Sequence, residues 1–285
     1  MQELQQFIEK MRATSSSTDK VQIIKDADPF IHKVLEYTYN PFRKLDGVRC
    51  LAVVDYEGKC TLYSRMGKEL TTLNQVKLAI EKTGIINTVF DGEICLMDEN
   101  GNEDFQGVMK ELRRKDHQIE NPIFMIFDMI HKPDFDNQKG YLRLSDRLNQ
   151  LRGWLGGRFI DTNILRYVEQ YQITDQDHFD YWTKLSNSKK WEGFMLRKNE
   201  GYEGKRTKNL LKVKKFFDAE YEVIDFDIDD HEIVVNGHKV KVGSGWTHEQ
   251  RLQYIDGSIV GKIITVQYFE ETKNDKGGIS LRFPT

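Results

Sequence analysis

The stretch RKLDGVR, residues 43–49, sets a lysine just ahead of an acid and a glycine, at the start of an alternating apolar run. A lysine at a strand end is ordinarily a solvated charge. It becomes a nucleophile only as the free amine, a form that nearby cations or desolvation favour. Arg49, Arg65, Lys212 and Lys214 are candidates for such cations. Lys44 is expected to open the strand that continues through VRCLAVV. Lys212 and Lys214 stand two apart in NLLKVKKF, so if that segment is a strand, both side chains share one face.

Outward from this stretch the pattern is mixed. VRCLAVVDYEGKCTLYSRMG reads as a hairpin, LNQVKLAIEKTG as a helix ending at Gly84, and TVFDGEICLMDENG as a strand and turn. PIFMIFDMI is a buried strand that Phe127 and Asp128 are expected to end, and LSDRLNQLRGWL is a helix with Ser145 as its N-cap. WEGFMLRKN and NLLKVKKF are two further strands around a basic loop. Residues 1–42 have apolar residues at helical spacing. After residue 217, short alternating strands with Gly turns, including Asn236-Gly237, suggest a small Greek-key barrel of the OB type. Asp225-Phe226-Asp227-Ile228-Asp229 resembles the start of a calcium loop. Its sixth position is Asp230, not glycine, so a barrel strand is the better reading.

Composition sets limits. The chain has 285 residues and a net charge of −3, with the apolar content of ordinary globular domains. No apolar run approaches the roughly 20 residues that cross a bilayer. Cys50, Cys60 and Cys95 are odd in number and lack CxxC spacing, which fits a reducing cytoplasm and neither a disulfide framework nor a zinc site. The charge is unevenly spread. Residues 184–215 hold eleven Lys/Arg against three Asp/Glu, whereas residues 218–285 hold seven against thirteen. A basic stretch in a near-neutral chain points to a polyanion held at one place.

Cations and carboxylates together suit phosphate chemistry. Asp91-Gly92-Glu93 and Glu192-Gly193 each set a carboxylate beside a glycine, where a ligand can approach the backbone. Hard oxygen donors of this kind hold Mg²⁺ between protein and nucleotide phosphates. Phe127 offers a face on which a base could stack.

These pieces, in this order, resemble the covalent nucleotidyltransferases, which include ATP-dependent DNA ligases, RNA ligases and mRNA capping enzymes. Lys44-Leu45-Asp46-Gly47-Val48-Arg49 matches KxDGxR, and Ser64-Arg65-Met66-Gly67 matches the SRxG element after it. Phe90-Asp91-Gly92-Glu93, Phe127-Asp128, Glu192-Gly193-Phe194-Met195-Leu196-Arg197 and Leu211-Lys212-Val213-Lys214 match the remaining motifs. The helical segment at 1–42 resembles part of the N-terminal region of bacteriophage-type polynucleotide ligases, and Tyr202-Glu203-Gly204-Lys205-Arg206-Thr207 is similar to the DNA ligase form. So are Val242-Gly243-Ser244-Gly245-Trp246 and Ser280-Leu281-Arg282-Phe283-Pro284.

The resemblance implies an α+β nucleotidyltransferase domain of mostly antiparallel sheets at 43–217 and an OB-fold barrel at 218–285. Before them stands a helical segment, 1–42, part of an N-terminal DNA-binding region. It implies ATP and Mg²⁺ as cofactors and AMP carried on Lys44. Arg49, Arg65, Glu93, Phe127, Arg197, Lys212 and Lys214 would bind the nucleotide, and Glu93 and Glu192 the metal. Arg65, Lys205, Arg206 and Lys208 would bind nicked double-stranded DNA, the protein acting as a monomer without a membrane, in a host cytoplasm if phage-encoded. Phe42 stands where such ligases carry a small or polar residue that helps read adenine. The helical segment runs straight into the motif, as though a piece were deleted, and the closing barrel motif of such ligases does not occur before Thr285. If the chain ends there, lysyl-AMP formation is expected to suffer more than sealing of a pre-adenylylated nick. The alternatives are an RNA ligase or capping-type enzyme, separated by substrate and nucleotide choice, and a nucleic-acid-binding protein without turnover, separated by absence of covalent label from ATP.

The basic stretch yields a direct expectation. Neutralising Arg206 and Lys208 together should flatten the salt dependence of nick binding by about two phosphate contacts, read from affinity against salt concentration. An unchanged slope would make the stretch an ordinary solvated surface.

Overall fold

The computed structural model describes residues 39–99, 101–114, 116–157, 160–173, 175–189, 191–214, 216–227, 232–235, 240–273, 279–282 and 284–285. Most of the helical segment expected over 1–42 lies outside them, but its end does not. Tyr39–Arg43 forms a strand, β1. Pro41 gives the reason, since a proline pushes the preceding residue out of the helical region and lacks a helix-interior donor. Its missing N–H is tolerated because β1 is an edge strand.

The chain divides into two compact units, Met1–Val213 and Lys214–Thr285. In the first, β2 (Val48–Val54), β3 (Cys60–Ser64), β4 (Thr88–Cys95), β5 (Ile123–His131) and β6 (Leu165–Tyr167) form a sheet in the order β3-β2-β4-β5-β6. Only β5 and β6 pair in parallel in this sheet. Period-2 alternation gives the sheet two distinct faces. Cys50, Ala52, Val54, Phe90, Ile94, Phe124 and Ile126 form an apolar core with Val76, Ala79 and Ile80 of α1 (Asn74–Glu81), Val108 of α2 (Phe105–Arg113) and Leu151 further along the chain. The opposite phase of β2 and β4 carries Arg49, Leu51 and Val53, and Val89, Asp91 and Glu93.

A second sheet, in the order β1-β7-β8, is built from β1, β7 (Phe194–Lys198) and β8 (Leu210–Val213). Phe194, Leu196 and Leu211 pack on Phe179 and Trp182 of the helix at Gln176–Ser188. Met195 packs instead with Phe42, Leu45 and Phe127, toward the first sheet. Two short connections complete the unit: α3 (Lys132–Asp136) and α4 (Leu144–Leu155), with the 176–188 helix becoming α5. Ser145 is not the N-cap of α4. Arg143 holds that position without a side-chain cap, and the amide of Ser145 is capped from elsewhere, by Asn199 Oδ1 at 2.8 Å.

The second unit holds β9 (Phe217–Asp227), β10 (Glu232–Val235), β11 (Val240–Val242) and β12 (Ile263–Tyr268) in a sheet ordered β11-β10-β9-β12. A separate pair joins β13 (Glu270–Lys273) to β14 (Ile279–Arg282). Its helix α6 (His248–Gln253) starts from a capping box of Thr247 and Gln250. Among the described residues these strands do not close into the expected barrel, and the Asn236-Gly237 turn lies outside them. Asp225 and Asp227 lie in β9, as a strand reading requires.

Candidate active site

A cavity of about 520 Å³ opens within the first unit, between the charged face of the five-stranded sheet and the inner face of β1-β7-β8. Lys44, Arg49, Arg65, Glu93, Phe127, Arg197 and Lys212 all line it. The apolar side chains of Phe42, Leu45, Phe105, Met109, Met195 and Leu210 share its walls. Residues scattered from 42 to 212 thus surround one space.

The nucleophile candidate does not open a strand. Lys44 lies in the short connection between β1 and β2, and that connection is held by its own amides. The amide of Lys44 donates to the Gly193 carbonyl at 3.1 Å, that of Asp46 to Glu103 Oε2 at 3.1 Å, and that of Gly47 to Glu93 Oε2 at 3.1 Å. Glycine is required at both contact points. A Cβ on Gly47 would lie 2.6 Å from the Ile94 carbonyl oxygen, and Gly193 has φ +143°. The Lys44 ammonium donates to the Leu45 carbonyl at 3.1 Å and to the Glu192 carboxylate. Glu103 also pairs with Arg43 at 3.0 Å, and the Arg43 guanidinium lies 5.2 Å over the Trp191 ring.

Register explains the carboxylates. Arg49 stands opposite Glu93, and Leu51 opposite Asp91, so Arg49 meets Asp91 on the diagonal. That pair is bidentate, at 3.0 and 2.7 Å. Among the described residues Glu93 has no such bidentate partner. Burial pushes its carboxyl up to about 7, and the Lys44 charge and the Gly47 amide only partly offset this. A carboxylate made costly by burial is one that a bound cation would relieve. Glu93 and Glu192 thus fit a divalent ion, with Glu192 only 8 % exposed beside Lys44.

Phe127 and Asp128 do not end β5; they sit in its middle. Asp91 pairs with Asp128 and Gly92 with Ile126, so Phe127 is the extra residue of a bulge. A bulge re-aims the side chains beside it. Phe127 faces Phe42 with ring centroids 5.6 Å apart, and its carbonyl accepts from Arg197 Nη1 at 3.1 Å and Gln170 Nε2 at 2.6 Å. Asp128, 1 % exposed, accepts both arms of Arg147 at 2.9 and 3.0 Å and one arm of Arg197. The two guanidiniums hold its carboxyl far below the usual carboxylate range despite the burial.

Lys214 is not among the residues that line this cavity. Strand β8 ends at Val213, opposite Phe194. Lys214 belongs to the second unit, where its ammonium stands 5.0 Å from the Phe269 ring. Lys205, Arg206 and Lys208 are exposed on the loop between β7 and β8, outside the cavity lining. The sequence reading missed Glu103 and Arg147, and it named Asp91 only within a motif, without its role as the partner of Arg49. Glu103 offers no signal. Arg147 offers one: it falls on the buried stripe Leu144, Leu148, Leu151 of α4, where a cation needs a buried partner.

Fold and site together define a covalent nucleotidyltransferase arrangement, a lysine beside carboxylates in a cationic and aromatic cleft. A family model described as the ATP dependent DNA ligase domain matches residues 20–214, and one described as a DNA ligase OB-like domain matches residues 231–285. The chain belongs to the family of ATP-dependent DNA ligases, enzymes that form phosphodiester bonds. It is 26 % identical over 232 residues to the SPbeta prophage-derived DNA ligase-like protein LigB of Bacillus subtilis, covering 81 % of this chain and 74 % of that one. It is 25 % identical over 185 residues to the multifunctional non-homologous end joining protein LigD of Pseudomonas aeruginosa, covering 64 % of this chain and 21 % of that one.

Among solved structures, Pmar-Lig_PreS3 matches with a TM-score of 0.78 at 24 % identity, over 91 % of this chain and 65 % of that chain. A structure from a study of Lig E DNA ligases, titled for DNA binding with a minimal scaffold, matches with a TM-score of 0.65 at 19 % identity, over 93 % and 98 % of the two chains. These likenesses show the shared fold. The chain spans about two thirds of the first of these structures and about a fifth of LigD.

Two outcomes are expected. Glu103→Ala removes the acceptor of Asp46 and the partner of Arg43, so lysyl-AMP formation should slow by about 10- to 100-fold through misplacement of the loop. Sealing of a pre-adenylylated nick should stay near wild type, and Glu103→Gln should lie between. Equal loss in both steps, tracking a fall in melting temperature, would reduce Glu103 to a fold residue. The second outcome concerns Glu93. Its folded value of about 7 lies above the ordinary 4.5, so the folded chain holds a proton between these values that the unfolded chain has lost. Its contribution to stability is full below the ordinary value and fades as pH rises through 7. In a chelator-treated sample, Glu93→Gln should therefore gain melting temperature relative to wild type between pH 5 and pH 8; a constant difference would contradict the shift.

Proposed function

We propose that the chain seals nicks in duplex DNA through a lysyl-AMP intermediate on Lys44. The observation that carries this reading is the Lys44 ammonium resting on Glu192 at the edge of a cavity lined by Arg49, Arg65, Arg197 and Lys212. In the first step Lys44 gives up its ammonium proton, for which Glu192 is the contacting carboxylate. The free amine forms a bond to the α-phosphorus of ATP, and the bond to the bridging oxygen breaks with pyrophosphate as leaving group. The cations of the lining neutralise charge on the phosphates as it shifts. In the second step an oxygen of the nick 5′-phosphate attacks that phosphorus, the N–P bond breaks, and Lys44 regains a proton. In the third the adjacent 3′-hydroxyl attacks the 5′-phosphorus, loses its proton and displaces AMP, closing the strand.

Arg49 is aligned by Asp91 toward the nucleotide, and Phe127, re-aimed by its bulge, offers the stacking face for adenine. Arg65 is assigned to the nick phosphate, with Lys205, Arg206 and Lys208 along the DNA backbone. Lys214 joins the nucleotide contacts on the strength of the motif alone. Mg²⁺ would be held by Glu93 and Glu192, and when bound it would supply charge neutralisation between the phosphates. The domain boundaries at 43–217 and 218–285 are part of the same reading. A monomer is the proposed acting form, since one unit of one chain lines the whole cavity. Three free, buried cysteines support a reducing cytoplasm. Among the described residues no helix is long and apolar enough to cross a membrane.

The test is direct. Lys44→Ala and Lys44→Arg should both abolish covalent label from ATP and ATP-dependent sealing, because alanine lacks the nucleophile and guanidinium stays protonated. Running nicked DNA beside nicked RNA, and ATP beside GTP, separates this reading from an RNA ligase or a capping-type enzyme. Label retained by either variant would move the nucleophile elsewhere.

A further inference from the structure

The connection from α3 to α4 carries Lys139, Tyr141, Leu142 and Arg143, all exposed, around a buried Gly140. Tyr141 is 84 % exposed, a large aromatic held almost wholly in water. A mobile surface loop could explain such exposure, but this loop is fixed along its length. Gly140 donates to the Tyr202 carbonyl at 2.9 Å, Gly204 to the Gln138 carbonyl at 2.8 Å, and Leu144 to the Glu200 carbonyl at 3.1 Å. Lys139 and Glu203 form a β-bridge. Arg147, whose other contacts reach Asp128 in the cavity wall, donates to the Leu142 carbonyl at 2.6 Å. The packing is close enough that a Cβ on Gly201 would lie 2.2 Å from the Gly140 carbonyl oxygen.

The loop to which it is fastened, residues 199–209, is the one that carries Lys205, Arg206 and Lys208 and lends Gly201, Tyr202, Glu203 and Thr207 to the cavity lining. Charge state separates the surface cations here. Lys198 pairs with Glu200 and Lys205 with Glu203, each at 3.3 Å. Among the described residues Lys139, Arg143 and Arg206 have no acidic partner, and Lys139 instead stands 5.4 Å from the Tyr141 ring. Three uncompensated cations beside a rigid, protruding aromatic at the rim of a phosphate-handling cavity favour a polyanionic partner.

We infer that Lys139, Tyr141 and Arg143 form a second strip of the nucleic-acid interface, gripping the phosphodiester backbone of the duplex beside the nick. This inference rests on the proposed DNA substrate. The two cations meet phosphates, and the ring packs against the sugar-phosphate edge without reading sequence. Neither group touches the nucleotide site, so self-adenylylation does not need them.

The experiment uses the full chain and a labelled nicked duplex, with binding measured by anisotropy across a salt series. For Lys139→Gln with Arg143→Gln, the slope of log affinity against log salt should fall by about 1.8 and low-salt affinity by about tenfold. Tyr141→Ala should weaken binding by about fivefold with the slope unchanged, the loss of a stacking or packing contact rather than of a charge. Covalent labelling from ATP without DNA should match wild type in both variants, which also reports that they fold. A wild-type slope in the double variant, with labelling intact, would overturn the strip and leave the ligase reading standing. A wild-type chain that labels with AMP but shows no salt-dependent binding to nicked DNA would overturn both.

Discussion

The antiparallel pairing of β2 with β4 is the constraint on which the rest of the site depends. It sets Arg49 opposite Glu93 and brings the start of β2 against Ile94 and Cys95. Only a residue without a Cβ fits there, and Gly47 does so while giving its amide to Glu93. The lysine three residues earlier is then delivered to the cavity by a backbone with little freedom left. A one-residue slip of β2 against β4 would turn Arg49 toward the helices, away from Asp91 and Glu93, and bring Cys50 to the cavity face in its place. The apolar core on one face therefore enforces the chemistry on the other.

Charges in this cavity are handled in two ways. Where a carboxylate is structural, it is fully paired: Asp91 with Arg49, and Asp128 with Arg147 and Arg197. Breaking such a pair leaves a buried charge uncompensated, which is a larger loss than the pair's net worth. At Glu93, in the cavity lining, pairing is partial. Glu93 has one amide and a share of the Lys44 charge, and its raised proton affinity is the mark of that incompleteness. Incomplete compensation leaves Glu93 a buried carboxylate that a bound cation would relieve.

The Asp128 network also links regions that look independent along the chain. Through Arg147 it fixes the carbonyls of Leu142 and Glu200, and through Arg197 it reaches the Phe127 carbonyl. The base-stacking candidate and the outer loops of the rim are thereby tied to one buried anion. A rigid rim suits the duplex partner proposed above, because little ordering is left to be done on binding.

Much of this was legible in the amino-acid order. The lysine, the carboxylate–glycine pairs, the basic stretch and the strand periods were all local, and local patterns survive folding when a buried face enforces them. Arg147 could have been read from a cation on an apolar helical stripe. Other features were not local. Pro41 turned an expected helix end into an edge strand, and β8 stops at Val213, short of the expected run to residue 216. The bulge that aims Phe127 is a mismatch between two strands, visible only once both are paired. Glu103 earns its contact with Asp46 by spatial approach across 57 residues, and nothing in its neighbours marks it. Sequence by itself determined which chemistry this protein carries, because side-chain types and their spacing are covalent facts. Tertiary structure alone decided which of those groups meet, because register, bulges and close glycine contacts arise only between segments.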